Sequence, residues 1–374
     1  MIHPITQKRN SLDRTLRCLK KGSITIGFLG GSITDGRPRC NWPEPVTRWF
    51  IETYPGLRVA SENAAIGATN STLAVFRTQR DIIDRNCDLV FVEYAVNDSG
   101  LPENQRNCAR EGVIRKLLRA NIDVILVYTY FQPMYEDMKA GKVPATIAGF
   151  EKLAERYKLN SVWMGLQAWQ EIQRGRMNWK EFLHDGLHPG PLGSLSYSRA
   201  VISLLQDVLC DAQQSFKGSH PEDAADPDPT LPAPLYPLNW EKASTFSFTD
   251  VNLIGPWEIR RCTTLAWIDQ TLETAAVGLG ATLLLNFHGR GIALGFDYGK
   301  KSATFQYRLD QGDWNRESTE KPPWAPDADG WFRCIVLRDD LSDGEHTIEI
   351  EPLHGDMGNA LSSTFRLGLI GIIR

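Results

Sequence analysis

The chain has 374 residues, with 45 acidic against 41 basic side chains and a formal net charge of −4. That length suits two domains, each able to bury its own core. No lysine- or arginine-rich stripe could neutralise a phosphate backbone, which excludes nucleic acid as an expected partner. The longest apolar stretches are broken by polar residues and are too short to span a bilayer, and Met1 to Lys21 lacks the apolar core of a secretory signal. The seven cysteines stand singly, with no C-x-x-C pair, as in a reducing compartment. The expectation is a soluble cytoplasmic protein, without membrane contact, for which a homo-oligomer is left open.

From Gly22 to Gln214, short β-branched runs alternate with stretches of helical period, the pattern of a parallel α/β sheet. Strands are expected at Ser23 to Leu29, Leu57 to Ser61, Asp88 to Tyr94, Ile122 to Tyr130 and Ser161 to Met164. Helices are expected at Glu44 to Thr53, Ser71 to Arg85, Asn104 to Arg119, Ala145 to Lys158 and Ser194 to Gln214. Residues 1–215 then form a three-layer α/β/α domain with a five-stranded parallel sheet. Residues 216–238 are dense in proline and acidic residues and read as a stiff, extended linker. In 239–374 the pattern turns to short alternating runs such as Thr282 to Phe287, Gly291 to Phe296 and His346 to Glu351, which predicts an all-β sandwich of jelly-roll type.

In an open parallel sheet the ligand crevice lies beyond the carboxyl ends of the strands. Three expected strands are followed by suggestive residues: Gly30-Gly31-Ser32-Ile33-Thr34, Asn63-Ala64-Ala65-Ile66-Gly67 and Val96-Asn97-Asp98. Further on, His184-Asp185-Gly186-Leu187-His188 brings a carboxylate and an imidazole together at a spacing of three. A serine alcohol needs a base to take its proton, and the base needs a carboxylate to fix its tautomer. Ser32, His188 and Asp185 satisfy this. The backbone N–H groups of Ser32 and Gly67 and the amide of Asn97 supply three donors for a developing oxyanion.

Taken singly, these residues have plainer readings: Gly-Gly-Ser as a tight turn, Asp98 as the cap of the next helix, His184 as structural, Cys40 as a small buried hydrophobe. Taken in order, the four blocks GGSIT, NAAIG, VND and DGLH resemble those of the SGNH (GDSL-type) hydrolases. Ala95 departs from the glycine that the family usually places two residues before its asparagine. The resemblance implies an ester hydrolase with a Ser32–His188–Asp185 triad, an oxyanion hole of Ser32, Gly67 and Asn97, and no cofactor. The histidines also show no metal-ligand spacing, so no metal is expected.

The pairing with a β-sandwich resembles acetylesterases of carbohydrate esterase family seventeen, whose second domain is similar to a carbohydrate-binding module. The resemblance implies an acetylated oligosaccharide, mannan-derived in the family, as substrate and partner. Trp324, in the proline-rich and charged stretch Arg316 to Gly330, is the candidate for stacking on a sugar. A lipid-type esterase or thioesterase would use the same triad, and a non-catalytic carbohydrate-binding protein is the reading from another class.

Overall fold

The computed structural model describes residues 3–35, 41–215, 230–265, 267–275, 280–299, 302–320, 331–353 and 363–374. They divide into two compact units, Met1–Glu241 and Lys242–Arg374.

The first unit runs β1 (Thr6–Gln7), α1 (Asp13–Lys21), β2 (Ser23–Gly30), α2 (Ser32–Asp35), α3 (Pro43–Thr53), β3 (Arg58–Asn63) and α4 (Ser71–Thr78). It continues with β4 (Leu89–Glu93), α5 (Glu103–Arg119), β5 (Asp123–Val127), α6 (Tyr135–Lys139), α7 (Ala145–Tyr157), β6 (Asn160–Val162), α8 (Met164–Gln173), α9 (Trp179–Phe182) and α10 (Pro191–Ser215). The sheet order is β1-β6-β5-β4-β2-β3, with β2 to β6 parallel. Strand β4 is buried along its whole length and β5 over all but its first residue, and within them residues 89–92 and 124–127 read as unbroken apolar runs rather than alternating ones.

The expected five parallel strands are present, but the sheet has a sixth. Residues Thr6–Gln7 pair antiparallel with Val162 and Ser161, and the Asn160 side chain accepts from the Arg9 N–H at 2.7 Å. Two residues carry no detectable period. Helices α1 and α8 are likewise additions to the expected set, and the expected Ser71 to Arg85 helix leaves α-geometry after Thr78 for a π-turn at Gln79–Ile83.

The linker expected at 216–238 lies outside the described residues up to 229. Residues 230–241 are seated on α5 instead of spanning open space. Glu111, wholly buried, accepts the Leu235 and Tyr236 N–H groups, each at 2.7 Å, and the Tyr157 hydroxyl at 2.6 Å. The Arg115 guanidinium donates to the Pro232 carbonyl at 2.9 Å, and Arg115 and Arg119 both pair with Glu241. Trp240, counted with the β domain on sequence, is wholly buried in the first unit, its N–H on the Cys108 carbonyl at 3.1 Å. Proline stiffens such a segment, but buried partners on α5 decide where it goes.

The second unit is all β. One sheet has the order β15-β12-β17-β10-β9, with β7 also on β17, and the other β14-β13-β16-β11-β8, all antiparallel. Here β7 is Ser244–Phe246, β8 Asn252–Ile254, β9 Glu258–Arg261, β10 Gln270–Ala275, β11 Thr282–Gly289 and β12 Gly291–Tyr298. Next come β13 Thr304–Leu309, β14 Asn315–Glu317, β15 Trp331–Arg338, β16 Gly344–Leu353 and β17 Thr364–Ile373. Inward-facing residues of both sheets, among them Leu283, Phe296, Phe305, Ile348 and Phe365, make one core, as period-two alternation requires of a sandwich. No helix among the described residues is long and apolar enough to cross a membrane.

Candidate active site

Strand order reverses between β2 and β4, which is where an open parallel sheet leaves a crevice at its carboxyl edge. Ser32 follows β2 and Asn97 follows β4, so the two flank that point. The glycine block follows β3 on the same edge.

Beyond Gly30 the chain turns at once into α2, with the Thr34 and Asp35 N–H groups on the Gly31 carbonyl at 3.1 and 2.9 Å. Neither glycine has room for a side chain. A β-carbon would come within 2.7 Å of Thr34 Oγ1 at Gly30, and within 2.3 Å of Asn97 Oδ1 at Gly31. The Gly-Gly pair therefore lets the serine turn press against the end of β4, a steric role unrelated to cradling phosphate.

The glycine block is tied to the same turn. The Ala64 and Ile66 N–H groups donate to the Phe28 and Gly30 carbonyls at 2.9 and 3.0 Å, and the Asn63 amide donates to the Thr34 carbonyl at 3.1 Å. This leaves Gly67 beside the serine: a β-carbon on it would lie 3.6 Å from Ser32 Cβ. The three residues expected to form an oxyanion hole thus gather around one turn.

Asp185, Gly186, Leu187 and His188 form a loop between α9 and α10, closed at its base by the Leu183–Pro189 bridge and the Gly190 N–H on the Phe182 carbonyl at 2.8 Å. Asp185 Oδ1 accepts the Leu187 and His188 N–H groups at 2.9 and 2.7 Å. Gly186, at φ 78°, takes the left-handed turn that lets Asp185 reach back to them. The Gln132 N–H holds the tip through the Gly186 carbonyl at 2.9 Å.

This folding aims the imidazole. His188 Nδ1 lies 2.7 Å from Asp185 Oδ2, and Nε2 lies 2.8 Å from Ser32 Oγ. Burial pushes the Asp185 carboxyl up, but bonds from the His188 ring and from the two N–H groups outweigh it and hold the pKa at about 2. An ionised carboxylate only accepts, so Nδ1 carries the ring proton and Nε2 is free to accept from the Ser32 hydroxyl. His184 takes no part: its side chain is 67% exposed and 4.0 Å from Asp185.

Asp98 does not cap the helix that comes after it. Its Oδ1 accepts the Ser71 N–H at the start of α4, at 2.9 Å, and its Oδ2 pairs with Arg110 of α5 at 2.6 Å, with both side chains at 0% exposure. Helix α5 instead opens at Pro102 without a side-chain cap. Arg77 is also buried, donating to the Ala64 carbonyl at 2.6 Å and to the Tyr94 hydroxyl at 3.0 Å. Sequence reasoning passes over Arg77 and Arg110, since a lone arginine in a helix reads as solvated. Trp324 and Cys40 lie outside the described residues. Among the described residues no group of three or more histidine, cysteine, aspartate or glutamate side chains is placed to hold a metal ion.

A two-domain esterase active on acetylated mannans, crystallised with mannopentaose, superposes on this protein with a TM-score of 0.78 at 20% identity, over 98% of this chain and 95% of that one. A second structure of such an esterase gives 0.77 at 20% identity, over 98% and 96%. An acetylxylan esterase from Geobacillus stearothermophilus gives 0.41 at 18% identity, over 49% and 94%. No curated protein matches the chain. The profile of the GDSL-like Lipase/Acylhydrolase family matches residues 28–194, from within β2 to the start of α10. That span takes in all four blocks gathered at the crevice, so this part of the chain is similar to the GDSL-like, or SGNH, hydrolases, a likeness that supports a carboxylic ester hydrolase.

Proposed function

We propose that the protein removes O-acetyl groups from an acetylated oligosaccharide, in first place a manno-oligosaccharide, through an acyl-enzyme on Ser32. The observation that carries this is the unbroken line from Asp185 through His188 to Ser32, at 2.7 and 2.8 Å. In the proposed reaction, Ser32 Oγ attacks the acetyl carbonyl while His188 Nε2 takes its proton. The tetrahedral oxyanion faces the N–H groups of Ser32 and Gly67 and the amide of Asn97. His188 passes the proton to the sugar oxygen, the carbon–oxygen bond breaks and the sugar leaves as an alcohol. Water then attacks the acyl-enzyme, giving up its proton to His188, and acetate departs as Ser32 recovers its own.

The acetylated sugar is supported by the two-domain likeness to an esterase active on acetylated mannans. Trp324 remains the sequence-based candidate for stacking on the sugar, and the cytoplasm the proposed compartment. The test is mass spectrometry of acetylated manno-oligosaccharides before and after incubation, beside turnover of aryl acetate, longer-chain aryl esters and an acyl thioester. Loss of acetyl groups is expected. Turnover of long acyl chains or thioesters without release of acetate from any oligosaccharide would replace this reading with a lipid-type esterase or thioesterase. A protein that turned over none of these esters would be a binding protein.

A further inference from the structure

Glu93 ends β4 directly behind the serine turn and is wholly buried. Its Oε1 accepts from the Thr129 hydroxyl at 2.7 Å and its Oε2 from the Thr34 hydroxyl at 3.1 Å, and the Gly31 N–H also donates to it. Thr34 Oγ1 in turn accepts from the Trp42 indole N–H at 3.2 Å. These partners are hydroxyls and a backbone N–H, not a cation. Burying a carboxyl in that company is costly. Burial accordingly pushes its pKa up to about 7, against the pull of the Thr129, Thr34 and Gly31 bonds and helped by the nearby Asp98 charge.

The positions of the partners explain what that cost achieves. Gly31 and Thr34 lie on either side of Ser32, and Thr129 follows β5 two residues on. Glu93 therefore ties the serine turn to the sheet from below, while Asn97 presses on Gly31. We propose that Glu93 is a positioning residue of the esterase: its carboxyl anchors the Gly31–Thr34 turn to the end of β5, so that Ser32 Oγ stays in line with His188 and the Ser32 N–H stays aimed at the acyl oxygen. Glu93 touches no reacting atom. The inference rests on Ser32 as nucleophile.

Replacing the carboxyl by the amide of equal size, Glu93→Gln, sets an N–H₂ group against one of three donors and loosens the turn. The experiment is the rate at which a fluorophosphonate labels Ser32, with kcat and KM on an aryl acetate and circular dichroism to show folding. Displacements of the order of 1 Å cost up to about 100-fold in rate. Glu93→Gln is expected to slow labelling and kcat together by about 10-fold or more, with KM within about twofold. A folded Glu93→Gln protein labelled at the wild-type rate overturns the proposal. Should that variant not fold, Thr34→Val cuts the same tie from the turn's side, and wild-type labelling there overturns it equally. Failure of the wild-type protein to be labelled at Ser32 would instead remove the nucleophile reading on which the proposal stands.

Discussion

Arg110 Nε donates to Asp98 Oδ2 at 2.6 Å with both side chains sealed from solvent, one residue along from Asn97 at the end of the crevice. The pair joins α5 to the loop after β4, and the Asp98 bond to the Ser71 N–H brings in α4. Desolvation lowers the Arg110 pKa, while the Asp98 charge and hydrogen bond work against the fall. Breaking a buried pair from one side strands the other charge, at about 3–5 kcal/mol. Arg110→Ala should lose stability on that order in urea unfolding, and an unchanged midpoint would show that the pair contributes little.

Removing the nucleophile or the base should stop turnover. Ser32→Ala and His188→Ala are each expected to lower kcat on an aryl acetate by about 10⁴-fold or more. His184→Ala should stay close to wild type, because that ring is exposed and 4.0 Å from Asp185. Reversal of the two histidine results would move the base to His184.

Asn97→Ala removes one of three proposed oxyanion donors. The expected loss is about 10²–10³ in kcat with little change in KM. A loss confined to KM would make Asn97 a group that binds substrate and transition state alike.

Asp185 gives a dependence on pH. Its folded pKa, about 2, lies below the value of about 3.9 for a free aspartate. The stability it contributes is therefore complete above the unfolded value and is lost as pH falls through the folded one. The gap in melting temperature between wild type and Asp185→Asn should be widest near neutrality and should narrow as pH falls from about 4 towards 2. A gap that stays constant over that range would mean the carboxylate is not held by its partners.

Gly112 tests the strap on α5. Glycine to alanine inside a helix ordinarily stabilises by about 1 kcal/mol. Here the new β-carbon would lie 2.6 Å from the Trp240 carbonyl carbon and 3.0 Å from the Glu241 nitrogen, both backbone atoms. Gly112→Ala should destabilise instead, and a raised melting temperature would show that residues 230–241 are not held against the helix.

The sequence by itself determined the serine turn, the glycine block, the asparagine and the Asp-x-x-His loop, because each is a short run whose chemistry depends on close neighbours. It determined the alternation of strands and helices as well, since residues 89–92 in β4 and 124–127 in β5 are apolar runs of the length a buried strand needs. It also carried the change to period-two patterning in the second domain. Tertiary structure alone decided the rest. Ser32 and His188 are 156 residues apart, and only strand order and the pinned loop bring them within 2.8 Å. Glu111 and Arg110 read as solvated charges and Asp98 as a helix cap, because charged residues are rarely buried, and nothing in the sequence marks Glu93. Partners supplied by other elements are what make their burial tolerable. Residues 230–238 read as linker from their prolines and Trp240 as part of the β domain, yet both lie on α5 because Gly112 leaves a gap and Glu111 offers two acceptor oxygens. Local sequence carries backbone period and motif chemistry, whereas the pairing of buried polar groups is a property of contacts between distant segments, which exist only once the chain has folded.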